Sequence, residues 1–414
     1  MKANNETGRR KKAVVSQHLY GFIGGGEILA TAFIKAFKRM GYDVSIATVA
    51  GFDKEKVGKW FGINLNDIPV YSLFPTFISI LGIYQRLITP YAIKKAVEKE
   101  RPDYLYIDNQ FYKPLLKTKE KYGFKLIQYI HFPEAIYIGD LRNVHDPEKV
   151  NEFKEEQKEY LNKYLRNWRW NLYFKVWKKL IKRILVDDPF DYADYILANS
   201  EYTAEAVYAV YGKMPKVLYP PAETEFFKKF SLPYEKRQNA VVMIGRISRE
   251  KRHKIVVDAI SKTRSKPKLK IVGGLAPVDE PYEKEVERFA KEKNVEVEFH
   301  INVPREEVAR EAGSSKVFVH AIRGEHFGIA VVEGMASGTP VIVHRSGGAY
   351  YSIVSRDQYG KSFETMDELA SEIDMLMEDE KEWRRYSELS SKRAEDFSEQ
   401  KFYERVSKLF GEQQ

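Results

Sequence analysis

The 414-residue sequence contains no cysteine, which excludes a disulfide framework, a thiol nucleophile and a thiolate metal site. It has no uninterrupted run of roughly 18 apolar residues, so no membrane-spanning helix is expected. Its opening, "MKANNETGRRKK", carries charges with no apolar stretch behind them, which predicts no secretory signal. The triple glycine at 24–26 is not followed by Gly-Lys-Ser/Thr and does not fit Gly-x-Gly-x-x-Gly, so neither phosphate-loop fingerprint applies. Internal repeats and low-complexity tracts are absent as well. Missing cysteine together with abundant Lys, Glu and Tyr fits a heat-loving source.

Positive charge is present in excess, and it is uneven. Lys and Arg total 68 against 59 Asp and Glu, a net charge of +9. Residues 1–200 hold 33 basic and 23 acidic residues, and the remainder 35 and 36, so the whole excess belongs to the first half. That half is expected to meet an anionic partner. The densest tract is "YLNKYLRNWRWNLYFKVWKKLIKRILV" (160–186), with eight cations, seven aromatics, no acid and three of the five tryptophans. Leu161, Leu165, Trp168, Leu172, Val176, Leu180 and Ile184 recur at close to helical spacing. Such a helix can lie in a lipid headgroup interface, or it can be a core helix with a solvated basic face. The apolar stretch 71–93, broken by Pro75 and Pro90, is a second candidate for membrane contact. Single-stranded nucleic acid also binds basic aromatic tracts, but no recognised binding module accompanies this one.

Apolar runs alternate with helical periodicity along the whole chain. Ala13–Val15, Val44–Val49, 104–108, 125–133 and 194–200 read as strands of a first series. The second comprises 240–248, 269–274, 295–300, 317–320 and 340–344. This order predicts two α/β halves, each a doubly wound parallel sheet. They are joined across "LYPPAETEFFKKFSLP", where Pro220-Pro221 is a breaker pair. The stretch "VFVHAIRGEHFGIAVVEGMASGTPVIVHRSGG" (317–348) reads as strand, helix, strand. In a parallel sheet its Arg323–Phe327 segment falls at the ligand-binding carboxyl edge. Glu325 precedes that helix and Glu333 lies one turn inside, with amides near Gly328 and Ile329 suited to an anion. Two hydroxyl acceptors flanking an anion site is one reading; a capping carboxylate plus a solvated glutamate is the other.

The pieces together resemble the retaining glycosyltransferases of GT-B architecture, in the large family 4 that contains sucrose synthases and mannosyltransferases. "GFIGGGE" resembles that family's glycine-rich first loop, "IGRISREKR" its Gly-Arg…Glu-Lys segment, and "GEHFGIAVVEG" its paired-glutamate motif. "FSEQKFYERVSKLF" (397–410) is similar to the C-terminal helix that crosses back onto the first domain. "YIHFP" and "EHFGIAVVEGMASG" look most like the type that adds α-1,2-mannose to dolichol-linked oligosaccharide on the cytosolic membrane face. The resemblance implies a Rossmann-like acceptor domain over 1–200 and a linker over 201–238. It further implies a nucleotide-sugar domain over 239–395 and a crossover helix over 396–414.

It also implies site roles. Arg246 and Lys251 would neutralise the leaving diphosphate, a task some glycosyltransferases give to a metal held by Asp-x-Asp, a triplet this sequence lacks. Gly25 and Gly26 would let backbone approach the donor phosphates. Phe327, Gly328 and Ile329 would offer backbone amides, Glu333 would accept from the ribose hydroxyls, and Glu325 would hold the donor sugar. His131 would face that sugar and stabilise positive charge at the anomeric carbon. The implied reaction is metal-free, cofactor-free front-face transfer of a hexose, GDP-mannose being the favoured donor. The acceptor is a lipid-linked or membrane-proximal glycan, and the enzyme is cytoplasmic and peripheral to the membrane. A UDP-glucose or UDP-N-acetylglucosamine donor is the alternative within the fold. A nucleic-acid-binding protein and a non-catalytic sugar-nucleotide sensor are the alternatives outside it.

Overall fold

In the computed structural model the described residues are 9–22, 24–108, 111–139, 144–158 and 168–411. They form two parallel sheets. The first comprises β1 (Lys12–Ser16), β2 (Asp43–Ala47), β3 (Val70–Tyr71), β4 (Tyr104–Asp108), β5 (Lys125–Ile130), β6 (Tyr195–Ala198) and β7 (Lys216–Val217). Its spatial order is β3-β2-β1-β4-β5-β6-β7. The second comprises β8 (Gln238–Ile244), β9 (Lys268–Gly273), β10 (Val297–Ile301), β11 (Ser315–His320), β12 (Val341–His344) and β13 (Lys361–Phe363). Its order, β10-β9-β8-β11-β12-β13, repeats the same winding. Central strands are buried on both faces, as in the run Val241–Val242–Met243, because helices cover each side. The strand order reverses between β1 and β4 and again between β8 and β11. Ligands of such sheets bind at these reversals, beyond the carboxyl ends of the strands.

Helix Gly25–Arg39 shows how sequence becomes packing here. Leu29, Ala32, Phe33, Ala36 and Phe37 line its inner face and are almost fully buried. Gly41, at φ +83°, then turns the chain into β2. The domain boundary differs from the sequence expectation. Residues 201–238 are not all linker: helix Glu201–Tyr211 and β7 belong to the first domain, β7 pairing with β6 through Leu197↔Lys216. The short edge strands β3, β7 and β13 carry too few residues for a periodic signal.

The chain crosses between domains twice, and the two crossings lie side by side: Ala222 N–H donates to Phe397 C=O at 2.9 Å. After the second crossing, helix Glu399–Phe410, capped by Ser398, returns to the first domain as expected. Its Phe402 meets Phe33 edge-on at 5.3 Å, and Phe410 meets Tyr195 at 4.8 Å. Arg39 lies 3.9 Å over the Tyr403 ring. The last helix is therefore core to a domain that the chain left some 180 residues earlier, roughly the ring area and dispersion of four aromatic or aliphatic side chains.

The basic tract separates into parts. Residues 160–167 lie outside the described region, as do the side chains of Trp168, Arg169 and Trp170. Trp168–Ile184 is a helix, but Trp177, Ile181 and Leu185 point into the first domain's core. Trp177 is thus structural. Leu172 and Val176, 55% and 44% exposed, face outward beside Lys175 and Lys179.

Candidate active site

The first domain brings Gln17, Asp108 and His131 together at its reversal. Gln17 follows β1, Asp108 ends β4, and His131 follows β5, so three neighbouring strand ends supply one polar cluster. His131 Nε2 lies 2.5 Å from Asp108 Oδ1, while the Gln17 amide donates to Asp108 Oδ2 at 3.1 Å and to Glu27 Oε1 at 3.3 Å. Gly26 makes this possible: a Cβ there would sit 2.6 Å from Gln17 Nε2 and 3.0 Å from Asp108 Oδ2. The glycine loop therefore does more than approach a ligand; it leaves room for a carboxylate. Burial raises the Glu27 carboxyl to about 7, with Asp108 adding to the effect. Burial opposes charge on both His131 and Asp108, yet their contact outweighs it, raising the imidazole and lowering the carboxyl.

The second domain supplies the opposing wall. After β8 the chain turns at Gly245, and Lys251 folds back over it, its Nζ 3.3 Å from where a Gly245 Cβ would stand. Glu325 is largely enclosed, with 21% side-chain exposure; its Oε2 lies 3.2 Å from His320 Nε2, and its Oε1 accepts from the His326 amide at 3.0 Å. Burial alone would raise the Glu325 carboxyl, but His320 and Lys251 hold it far below the ordinary carboxylate range. Arg246, next to Gly245 in the chain, has a largely exposed head 3.4 Å from Glu250. Helix Ile329–Ala336 begins without a side-chain cap at Gly328, whose φ of +106° disfavours any side chain. Phe327 is buried against Tyr219 and Phe397, so only its backbone is available to a ligand.

The two walls meet. A Cβ on Gly25 would lie 3.9 Å from Ile329 Cδ1, which places the glycine loop against the start of that helix. His326 stacks on Phe132 with ring centroids 4.6 Å apart, and its Nε2 lies 2.6 Å from the Tyr137 hydroxyl. Ser200 Oγ donates to the His326 carbonyl and the Gln157 amide to that of Gly324, each at 2.5 Å. His131 and Glu325 are thus the immediate chain neighbours of a stacked pair bridging the domains.

Glu333 sits differently from the expectation of a glutamate awaiting ribose. It is buried and ion-paired with Arg305, which also donates to Glu223 at 2.8 Å and lies 4.6 Å over Phe227. Burial raises the Glu333 carboxyl, only partly countered by Arg305. Arg305, Asp108, Gln17, Glu27 and His320 join the site without having been expected from the sequence. Arg305 lies on the connection after β10, and Glu27 closes the "GGGE" loop; those positions were the available signals. Asp108 and Gln17 had none, being single polar residues at strand ends.

Two doubly wound domains whose reversals face one cleft, with a C-terminal helix crossing back, define a glycosyltransferase of the GT-B fold. The family assignment agrees: the chain belongs to the family-4 glycosyltransferases, with residues 23–226 matching "Glycosyltransferase Family 4" and 224–393 matching "Glycosyl transferases group 1". A Xenopus laevis GDP-Man:Man(3)GlcNAc(2)-PP-Dol alpha-1,2-mannosyltransferase is 30% identical over 201 residues, covering 45% of this chain and 41% of the relative. The Candida glabrata protein of the same name is 30% identical over 246 residues, 56% and 45% of the respective chains. The chain thus spans less than half the length of these relatives. Among solved structures, an Anabaena HepE complex with UDP superposes with a TM-score of 0.66 at 18% identity, covering 96% of this chain and 99% of that one. Sucrose-phosphate synthase from Thermosynechococcus elongatus gives 0.70 at 17% identity, covering 97% and 98%. These two likenesses concern the fold.

Arg305→Ala leaves Glu333 buried without its cation. The expected destabilisation is about 2 kcal/mol in chemical denaturation, less than the ~3–5 for a fully buried pair because the Arg305 side chain is 39% exposed. Adding Glu333→Gln should recover at least half of that loss; additive losses would mean that the two side chains do not act as a pair.

Proposed function

We propose that the protein transfers mannose from GDP-mannose, with retention and without a metal, to a lipid-linked or membrane-proximal glycan. The observation that carries this is the paired cleft: Lys251, Glu325 and the uncapped start of helix Ile329–Ala336 on one wall face the glycine loop and His131 on the other. The mannosyl donor is supported by the relatives named above, whose printed activity uses GDP-Man. The donor diphosphate lies against Lys251, Arg246 and the amides of Gly328 and Ile329, where cation and helix dipole both favour the leaving charge. Glu325, held ionised, accepts from donor-sugar hydroxyls. Glu333, shared with Arg305, accepts from ribose. Asp108 favours the protonated form of His131, and an imidazolium has the wrong sign for stabilising an anomeric cation. Its place is as a hydrogen-bond donor to a donor oxygen. In front-face transfer the departing phosphate takes the acceptor hydroxyl proton, so the C1–O bond to phosphate breaks as the C1–O bond to acceptor forms on the same face.

Thermal-shift measurements separate the donors. GDP-mannose at about 100 times its Kd should stabilise by about 2.7 kcal/mol, the UDP sugars far less; stabilisation by a UDP sugar alone would replace the mannosyl reading. Glu325→Ala should lower kcat/KM at least ~30-fold, about 2 kcal/mol of transition-state stabilisation, with product still the α anomer by NMR. Near-normal turnover in that variant removes Glu325 from the reaction.

The first domain reaches an anionic membrane surface, in this reading through outward Leu172 and Val176 with Lys175, Lys179 and Arg183 beside them. No helix among the described residues is long and apolar enough to cross a membrane, and nothing of that kind is required. Flotation with phosphatidylserine-containing vesicles should fall with Leu172→Asp/Val176→Asp while the fold persists by circular dichroism. Unchanged flotation, or none in the parent protein, counts against membrane docking.

A further inference from the structure

Asp108 is not itself assigned a contact with donor or acceptor, yet it is among the most enclosed carboxylates of the described residues, with 6% side-chain exposure. Its Oδ2 accepts a hydrogen bond from the Gln17 amide, while its Oδ1 makes a close ion-pair contact with His131 Nε2, at 2.5 Å and outside hydrogen-bond angles. The pairing follows from the sheet, since β4 and β5 are adjacent and Asp108 lies opposite Tyr129, two residues before His131. The rest of the His131 residue is held as firmly. Its carbonyl accepts from Asn199 Nδ2 at 3.1 Å and from Thr203 Oγ1 at 2.9 Å, which fixes the backbone that carries the ring. Such enclosure is costly for a carboxylate serving no purpose.

We propose that Asp108 is a positioning residue: it holds the His131 ring by Nε2, in one orientation and in the protonated state, so that Nδ1–H is the donor presented to the bound sugar nucleotide. This rests on the transferase reading above and deepens it. Gln17 completes the device by fixing the carboxylate, and Gly26 by leaving space for Gln17. The arrangement works as in other carboxylate–histidine pairs, where the carboxylate selects the ring nitrogen and stabilises the imidazolium. The charged groups facing His131 come from four elements: Asp108 on β4, Glu27 on helix Gly25–Arg39, Arg86 on the segment Ser79–Ile88, and His326 from the second domain. Asp108 and Glu27 raise the imidazole, while burial and Arg86 lower it.

The sign follows. In the parent protein the ring stays protonated above its ordinary 6.5, and activity that needs the imidazolium falls as pH rises through the raised value. Removing the carboxylate charge leaves burial dominant, so the ring loses its proton at lower pH.

The test is Asp108→Asn, read in two ways. His131 Cε1–H is titrated by NMR in both proteins, its signal assigned through His131→Gln. The pH profile of kcat/KM with GDP-mannose is measured in a Glu27→Gln background, so that the Glu27 carboxyl cannot supply the limb. The expected result is a His131 midpoint above 6.5 in the parent and below it in Asp108→Asn. The alkaline limb of kcat/KM should move acidward by at least one pH unit, about a fivefold loss at the parent's midpoint and about tenfold well above it. Equal His131 midpoints in the two proteins, or a loss of activity that is uniform across pH, overturns the proposal. Gln17→Leu gives a second variant should Asp108→Asn fold poorly; it should shift the midpoint in the same direction by a smaller amount, and no shift there counts against it. The titration needs no turnover. A shifted midpoint in a protein inactive with every sugar nucleotide would therefore sink the transferase reading and leave the pair standing.

Discussion

The ring of His326 stacked on Phe132 is the contact on which the site depends. Each half of the chain carries one wall of the cleft, the second domain holding most of the groups proposed to grip the donor and the first adding His131 and the glycine loop. Stacking at 4.6 Å, together with the Tyr137 and Ser200 hydrogen bonds, sets the separation between His131 on one side and Glu325 on the other. The side-by-side crossings at Ala222 and Phe397 and the returning helix Glu399–Phe410 keep the same two domains in register. Further contacts add to this stack, with Tyr202 lying parallel to Tyr351 at 6.3 Å and the Glu201 amide donating to Ser352 Oγ at 3.0 Å.

The two walls divide the electrostatics. The second domain presents a partly enclosed carboxylate held ionised by His320 and Lys251, plus the start of a helix without a capping side chain. The first presents an imidazole held by a carboxylate. In each pair one partner, Asp108 or His320, is nearly fully enclosed, so the pair's charge acts with less screening than at the surface. Parallel sheets make this geometry cheap to build: every strand delivers its last residue to the same edge, and covering helices begin there. The excess positive charge of the first half is therefore only partly a matter of the cleft. Much of it, in Lys175, Lys179 and Arg183, lies on the outer face of a helix whose inner face is core.

Fold class was readable because the strands are long apolar runs bounded by turn signals, and the helix starting at Ile329 lies where its apolar pattern begins. Short edge strands escaped, and the first domain runs past residue 200 because helix Glu201–Tyr211 feeds β7 rather than a linker. Of the site, the motif-borne residues Gly25, Gly26, Lys251, Glu325 and Ile329 converge on one cleft. Arg246 turns its head toward solvent and Glu250. Glu333 could be found by its spacing, but its Arg305 partner lies 28 residues away and no local pattern links the two. Asp108 and His131 come together only because β4 and β5 pair, a relation that sequence spacing does not contain. Trp177 shows the converse: a tryptophan in a basic helix suggests a lipid interface, yet helical phase turns it inward with Ile181 and Leu185.

A structure determined with GDP-mannose or GDP bound measures the central claim most directly. The account predicts the diphosphate between the glycine loop and helix Ile329–Ala336, with phosphate oxygens in hydrogen-bond reach of Lys251 Nζ and the Ile329 amide. A nucleotide found elsewhere, or a diphosphate contacting one domain's wall while Lys251 and Glu325 remain untouched, would contradict it.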